Sequence, residues 1–515
     1  MAERTEGENA GRGVLFIAAA KVYFMAAGAA IEFAVPWLMG RFAYGAYGVV
    51  AQWVSFFNNM IVTGTIQSVS RYTTADPARA DEVKAAGIRM HLMIGLPLAI
   101  ILAAGAPVVA SLMHDPGKAG LIALSMAIIA LYAFYTVFVG SANGTRAFHK
   151  QAALDVTFAT LRAGGIVGAA ALGFGVWGAI GAWVAAAAAI LVIAAVAIGL
   201  PKHLRGGRVA PMAAYLGGVA LYLLIMNFIM SVDQLLLKRL STEWFHAHPD
   251  WLLAHGAARD ALEAAASTQA DGQVGYYRAV QSLARLPYQL MIAVTFVIFP
   301  LVSRATFEAD HEKTRGYIRT TLRYSLIFAG LMGAVLASNA TAVLDVPFPL
   351  DYALEGGAAL ALLALGNVAF AIFTIAGTIL NSAGRTVEAV LVAAGTLAIL
   401  VVGLWLGIPT SHPGAAMLNV CAATTSAAMF LGAAASGVLL WRRFGAFVPA
   451  ATVARVVVAT AATFGVGRLV GTRGTLFTVA GAALAALVFV GVLIVTGELG
   501  RADLQIVGRV LRRKK

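Results

Sequence analysis

The chain has 515 residues, of which 60% are hydrophobic and only 12% charged, with a formal net charge of +13. A soluble globule of this length would carry about a quarter charged residues, so the composition excludes a soluble fold and points to the bilayer as solvent. The positive charge, which in a soluble chain would suggest nucleic acid, sits in short connections between apolar runs and reports topology instead, with no nucleic-acid partner expected.

The polar start Met1 to Arg12 leads into an apolar run of full spanning length, 14–38, so the first span is expected to be retained rather than cleaved as a signal peptide. Further spans are expected at 44–69, 87–110, 119–140, 152–175 and 177–199, completing a six-helix lobe over 14–200. A basic linker, 201–213, carries Lys202, Arg205 and Arg208. A second lobe, 214–441, follows with spans at 214–236, 274–302, 318–340, 354–380, 387–408 and 414–440. Two appended spans, 450–470 and 476–496, precede a basic tail, 497–515. At these lengths only helices satisfy every backbone group in lipid. The expected fold is therefore an all-α integral membrane protein of about 14 transmembrane helices: two parallel six-helix lobes around a central cavity plus two appended C-terminal helices.

An internal repeat supports the two lobes. Gly45, Tyr47 and Val69-Ser70-Arg71 match Gly275, Tyr277 and Val302-Ser303-Arg304. Two spans further on, Ser141-Ala142-Asn143-Gly144-Thr145-Arg146 matches Asn381-Ser382-Ala383-Gly384-Arg385. Both copies put their arginines on the same side, so the repeat is parallel, an arrangement used by transporters. With the N-terminus (1–13) in the cytoplasm, about 26 of the 37 Lys and Arg fall inside and about 8 outside, which sets both termini in the cytoplasm. The inside clusters, including Arg509, Arg512, Arg513, Lys514 and Lys515, are expected to meet anionic lipid.

One outer segment is long. Between Lys238 and Gln273 an insertion centred on 242–271 carries Trp244, Phe245, Trp251 and Leu252, which suit an interfacial cap at the outer mouth. His246, His248 and His255 with Asp250 fit no standard ligand spacing, and no metal is expected there. The single cysteine, Cys421, lies in an expected span and permits no intramolecular disulfide.

Charges within spans cost about 2.5–3.5 kcal/mol each at the helix centre, so they need partners or water. Lys21 and Glu32 are three turns apart on one face, as are Asp155 and Arg162 two turns apart. In the eighth span Arg278, Gln281, Arg285 and Gln289 form a polar stripe that Pro287 should kink. Lys21, Arg162, Arg278, Gln281, Arg285, Gln52 and Asn59 are the candidate substrate-binding residues of a hydrated cavity. Glu32, Asp155 and Asp233 are candidates for a coupling ion or for charge partners of the basic residues. Ion pairs that only fix packing, Asp155 with Arg162 or Asp233 with Arg285, are the plainer reading of the same residues. No nucleotide-binding loop, zinc-protease or nucleophile-elbow motif occurs, so the expectation is a transporter and no catalytic residue is assigned. No cofactor is expected; energy would come from an H+ or Na+ gradient, the membrane potential or substrate supply.

Arg41-Phe42-Ala43-Tyr44-Gly45-Ala46-Tyr47-Gly48, Val69-Ser70-Arg71-Tyr72, Gly175-Val176-Trp177-Gly178-Ala179, Gly275-Tyr276-Tyr277-Arg278-Ala279, Leu283-Ala284-Arg285-Leu286-Pro287 and Thr496-Gly497-Glu498-Leu499 together resemble the polysaccharide transport (O-antigen flippase) family. That family belongs to the multidrug, oligosaccharidyl-lipid and polysaccharide exporter superfamily, and the resemblance covers essentially the whole chain. It implies a V-shaped pair of lobes that flip a polyprenyl-pyrophosphate-linked glycan across the bacterial cytoplasmic membrane by alternating access. It further implies glycosyltransferases and a polymerase as pathway partners, and basic residues on the first and eighth helices at the substrate, where Lys21, Arg278 and Arg285 fall. A multidrug exporter of the same superfamily and a membrane enzyme of glycan polymerisation or ligation are the alternatives. The long outer insertion departs from the family's usual short loop.

Overall fold

The structure, a computed structural model, describes residues 2–307, 310–469 and 474–500. The basic tail cluster at 509–515 therefore lies outside the described residues. Regular structure among the described residues is wholly helical. The chain forms two compact units, 1–275 and 276–515. The first holds α1 (Ala2–Ala75), α2 (Ala80–Met93), α3 (Gly95–Ala104), α4 (Ala106–Leu112), α5 (Ala119–Gly144), α6 (Phe148–Ala171), α7 (Gly175–Ile198), α8 (Val209–Ile229), α9 (Val232–Ala247) and α10 (Pro249–Ala254). Helix α11 (Leu262–Ala284) crosses the boundary. The second unit continues with α12 (Leu286–Phe307), α13 (His311–Ser338), α14 (Ala340–Asp345), α15 (Leu350–Ser382), α16 (Thr386–Gly407), α17 (Ala415–Phe444), α18 (Ala450–Leu469) and α19 (Thr475–Val495). This division by contact falls at Gly275, whereas the sequence suggested the 201–213 linker; α8 and α9 pack within the first unit.

Twelve helices among the described residues are long and apolar enough to cross a membrane, where the sequence suggested about fourteen spans. Two places account for the difference. The runs 14–38 and 44–69 are joined in one helical stretch whose candidate span, 19–75, has 57 residues. At 1.5 Å per residue it would measure about 85 Å, nearly three hydrocarbon cores, and it is broken by non-helical Gly40 (φ 73°) just after Pro36. The run 274–302 has no counterpart among the twelve, and it is divided at Arg285 between α11 and α12.

In each unit the most buried candidate span, α5 in the first and α15 in the second, carries the second repeat motif at its C-terminal end. The ends share one hydrogen-bond pattern: Ala147 N donates to Ala142 O and Arg146 N to Asn143 O, while Arg385 N donates to Leu380 O and Gly384 N to Asn381 O. Both close through a left-handed residue, Arg146 (φ 59°) and Gly384 (φ 76°). The caps thus register Asn143 with Asn381, a finer alignment than the glycines alone suggest. The first repeat motif marks a close crossing of α1 and α11: a Cβ on Gly275 would stand 2.2 Å from the Arg41 carbonyl oxygen. The appended α18 and α19 pack on α13 through Ala334, Val456, Ala459, Phe489 and Leu493.

The insertion is helical, built from the end of α9, α10 and the start of α11, and the apolar side chains expected to face an interface pack against one another instead. Trp244, Phe245 and Leu252 are buried, and the Trp251 ring lies 5.1 Å from Phe245 and 6.3 Å from Trp244. Packed together, these rings withdraw more apolar area from water than they would lying flat on an interface. His248 and His255 stack on Trp244 and Trp251 and hydrogen-bond their carbonyl oxygens.

Candidate functional site

Asp155, Phe158 and Arg162 recur at intervals of three and four on α6 and share one face. Buried Asp155 receives Lys21 from α1, with Nζ 2.9 Å from Oδ2. This differs from the packing pair suggested on α6 alone, because Lys21 on the neighbouring helix reaches the carboxylate. Tyr23 of α1 and Thr160 of α6 also join their hydroxyls, at 2.9 Å. One turn along, Phe158 packs edge-on against Tyr132 of α5 at 5.1 Å and near Phe24 of α1 at 5.9 Å. Arg162 lays its guanidinium over the Trp183 ring of α7 at 4.4 Å, and Trp183 Nε1 donates to the Tyr132 hydroxyl at 2.8 Å. Arg162 Nε has no hydrogen-bond partner among the described residues. The Lys21 side chain is 55% exposed against 9% for Asp155. Two cations backed by an aromatic wall are thus available to an anion through charge-assisted hydrogen bonds.

The other candidates of the first unit lie elsewhere. Glu32 shares a helix face with Lys21 but accepts a hydrogen bond from the Tyr44 hydroxyl at 2.6 Å. Asn59 donates to Asn227 of α8 at 2.8 Å and accepts from Thr63 at 3.2 Å. Gln52 is buried, and its Nε2 has no partner among the described residues. Asp233 is buried in the first turn of α9, where its Oδ1 accepts from Gln234 N at 2.8 Å and its charge suits the helix N-terminus.

In the second unit Arg278 and Arg285 are half-buried and Gln281 is buried. The helix breaks at Arg285 because Pro287 has no N–H to give to the Leu283 carbonyl. Around the break the backbone stays bonded, Arg285 N to Gln281 O at 3.1 Å and Gln289 N to Arg285 O at 2.9 Å. The Tyr288 ring lies 4.8 Å from that of Phe370 on α15.

Sequence reasoning missed a buried charge network in the first unit. Lys238 Nζ lies 2.9 Å from Asp271 Oδ1 and 3.1 Å from Asp115 Oδ2, and donates to Ser267 O at 2.7 Å. Lys118 pairs with Asp115 and, at 2.6 Å, with Asp271. Burial alone would raise the Asp115 carboxyl, but Lys238 and Lys118 outweigh it and hold the group below its ordinary value. Burial pushes the Lys238 ammonium down further than Asp271 and Asp115 hold it up. The four charges come from three separate segments, so no local motif reveals them; the one available signal is that all lie at the edges of expected outer segments.

A family model described as polysaccharide biosynthesis protein matches residues 10–306. No curated protein matches the sequence significantly. Among solved structures, the inward closed conformation of lipid II flippase MurJ is similar at a TM-score of 0.70, with 13% identity over 93% of this chain and 98% of that one. An inward-facing multidrug resistance MATE family transporter of the MOP superfamily is similar at 0.62, with 15% identity over 83% and 94%. A MOP superfamily transporter from Pyrococcus furiosus is similar at 0.53, with 12% identity over 85% and 96%. The fold is that of the MOP superfamily transporters.

Proposed function

This chain belongs to the polysaccharide biosynthesis protein family, and from that membership we propose that it flips a polyprenyl-pyrophosphate-linked oligosaccharide across the bacterial cytoplasmic membrane. Alternating access is the mode of transport, and cell-surface polysaccharide is the destination. The observation that carries the reading is the Arg162 and Lys21 surface of the first unit. Pyrophosphate needs charge-assisted donors when it leaves water, and Arg162 offers a fork held flat on Trp183. Lys21 offers a second charge. An arriving anion competes with Asp155 for Lys21, so Asp155 is the carboxylate placed to take up a coupling proton or sodium ion as substrate binds. The Tyr23 and Thr160 hydroxyls, between the same two helices, suit sugar hydroxyls. Arg278, Gln281 and Arg285 are the substrate candidates of the second unit.

Reconstitution into vesicles with a labelled polyprenyl-pyrophosphate oligosaccharide on one leaflet tests the reading. The wild type should deliver label to the opposite leaflet. Arg162→Gln and Lys21→Gln should each cut the rate at least about tenfold without loss of inserted protein, since a charged hydrogen bond contributes about 1.5–3 kcal/mol. Unchanged rates in both variants, or transport of cationic drugs in place of the glycolipid, would overturn it; the second result would instead favour an exporter like the MATE transporter whose fold it shares.

A further inference from the structure

One end of the second unit is rich in arginine, and most of these side chains have partners. Arg315 Nε donates to the Phe444 carbonyl at 2.8 Å. Arg323 and Arg455 hold Glu498 at 2.6 and 2.8 Å, and Arg385 and Arg443 hold Glu388 at 2.7 and 2.8 Å. Arg319 on α13 and Arg442 at the end of α17 differ: among the described residues neither pairs with a carboxylate. Both line one groove of about 650 Å³ between α13, the end of α17 and the turn into α18. Its remaining walls are almost wholly apolar, with Val438, Trp441, Phe447 and Pro449 prominent. Trp441 is 61% exposed and Val438 53%.

We propose that this groove binds one anionic phospholipid of the cytoplasmic leaflet, with an acyl chain along Val438, Trp441 and Phe447 and the phosphate held by Arg319 and Arg442. The position follows from charge, because the basic end of a span faces the cytoplasm and an exposed tryptophan at a helix end sits at headgroup depth. The ligand class follows from the lining. Apolar walls open to the bilayer fit an acyl chain, while two cations without acidic partners complement a phosphate, and basic pockets between helices on this side bind anionic headgroups. A soluble nucleotide or sugar phosphate would find no polar partner below the two arginines. The bound lipid bridges α13 to the α17–α18 turn, where the appended helices join the bundle. The inference is independent of the transported substrate.

The test places the full chain in nanodiscs of phosphatidylcholine with a minor fraction of phosphatidylglycerol and measures retained lipid by native mass spectrometry. The wild type should retain phosphatidylglycerol selectively. Arg319→Gln with Arg442→Gln should lower that selectivity about 30-fold, or about 2 kcal/mol at about 1 kcal/mol per basic residue. Arg319→Lys with Arg442→Lys should keep most of it. As a control of equal charge, Lys202→Gln with Arg205→Gln, on the linker of the first unit, removes two basic residues outside the groove and should lower it far less. Equal retention of both lipids by the wild type, undiminished selectivity in the double Gln variant, or an equal loss in the linker control would each overturn the assignment.

Discussion

Gly45 of α1 meets the backbone of Asp271 on α11 so closely that a Cβ at position 45 would stand 1.7 Å from the Asp271 carbonyl oxygen. The contact is with main chain, which cannot swing aside as a flexible side chain would. Gly45→Ala should therefore push the two helices apart and destabilise the first unit by about 1–3 kcal/mol, the usual cost of overpacking. Gly217→Ala is the control, since a Cβ there meets nothing within 4 Å. Thermal denaturation in detergent should show a lower midpoint for Gly45→Ala than for Gly217→Ala.

Lys238 is fully buried between Asp115 and Asp271. Lys238→Met should destabilise by about 3–5 kcal/mol, because it strands buried negative charge. Adding Asp271→Asn should recover part of the loss, as groups sharing one network are not additive. Additive losses in a double-mutant cycle would show that the two residues act separately.

Glu498 anchors the end of α19 to Arg323 of α13 and Arg455 of α18. Burial alone would raise its carboxyl, but hydrogen bonds from Arg323, Arg455 and Thr452 outweigh that and leave it below the ordinary 4.5. A depressed folded-state value means that this contribution is present above the unfolded value and is lost as pH falls through the folded one. The wild type should therefore melt above Glu498→Gln at neutral pH, with the gap closing only as pH drops below about 4.5. A gap constant from neutral pH to well below that value would show that the carboxylate's charge contributes nothing.

From the distribution of basic residues we propose that the insertion lies outside and both termini inside. A cysteine at position 260, introduced in a Cys421→Ser background, should react with an impermeant maleimide added to intact cells. Exposed Asp260 has no packing role that the substitution would disturb. Labelling from the cytoplasmic side alone would reverse the topology.

The sequence by itself determined the solvent, the helical class and most of the spans. These depend on run length, the distribution of Lys and Arg and local cap chemistry, which short stretches of chain encode. The kink at Pro287 and the shared face of Asp155 and Arg162 were legible for the same reason, since both follow from neighbours on one helix. Only the tertiary structure decided partners. Asp155 pairs with Lys21 rather than with Arg162, Arg162 rests on Trp183, and Trp244 and Phe245 turn inward instead of onto the interface. The network of Asp115, Lys118, Lys238 and Asp271 exists only because three distant segments converge. Helical periodicity fixes the face on which a side chain stands, whereas the group it meets depends on which helix packs there, and that is settled by the close approaches of the whole bundle.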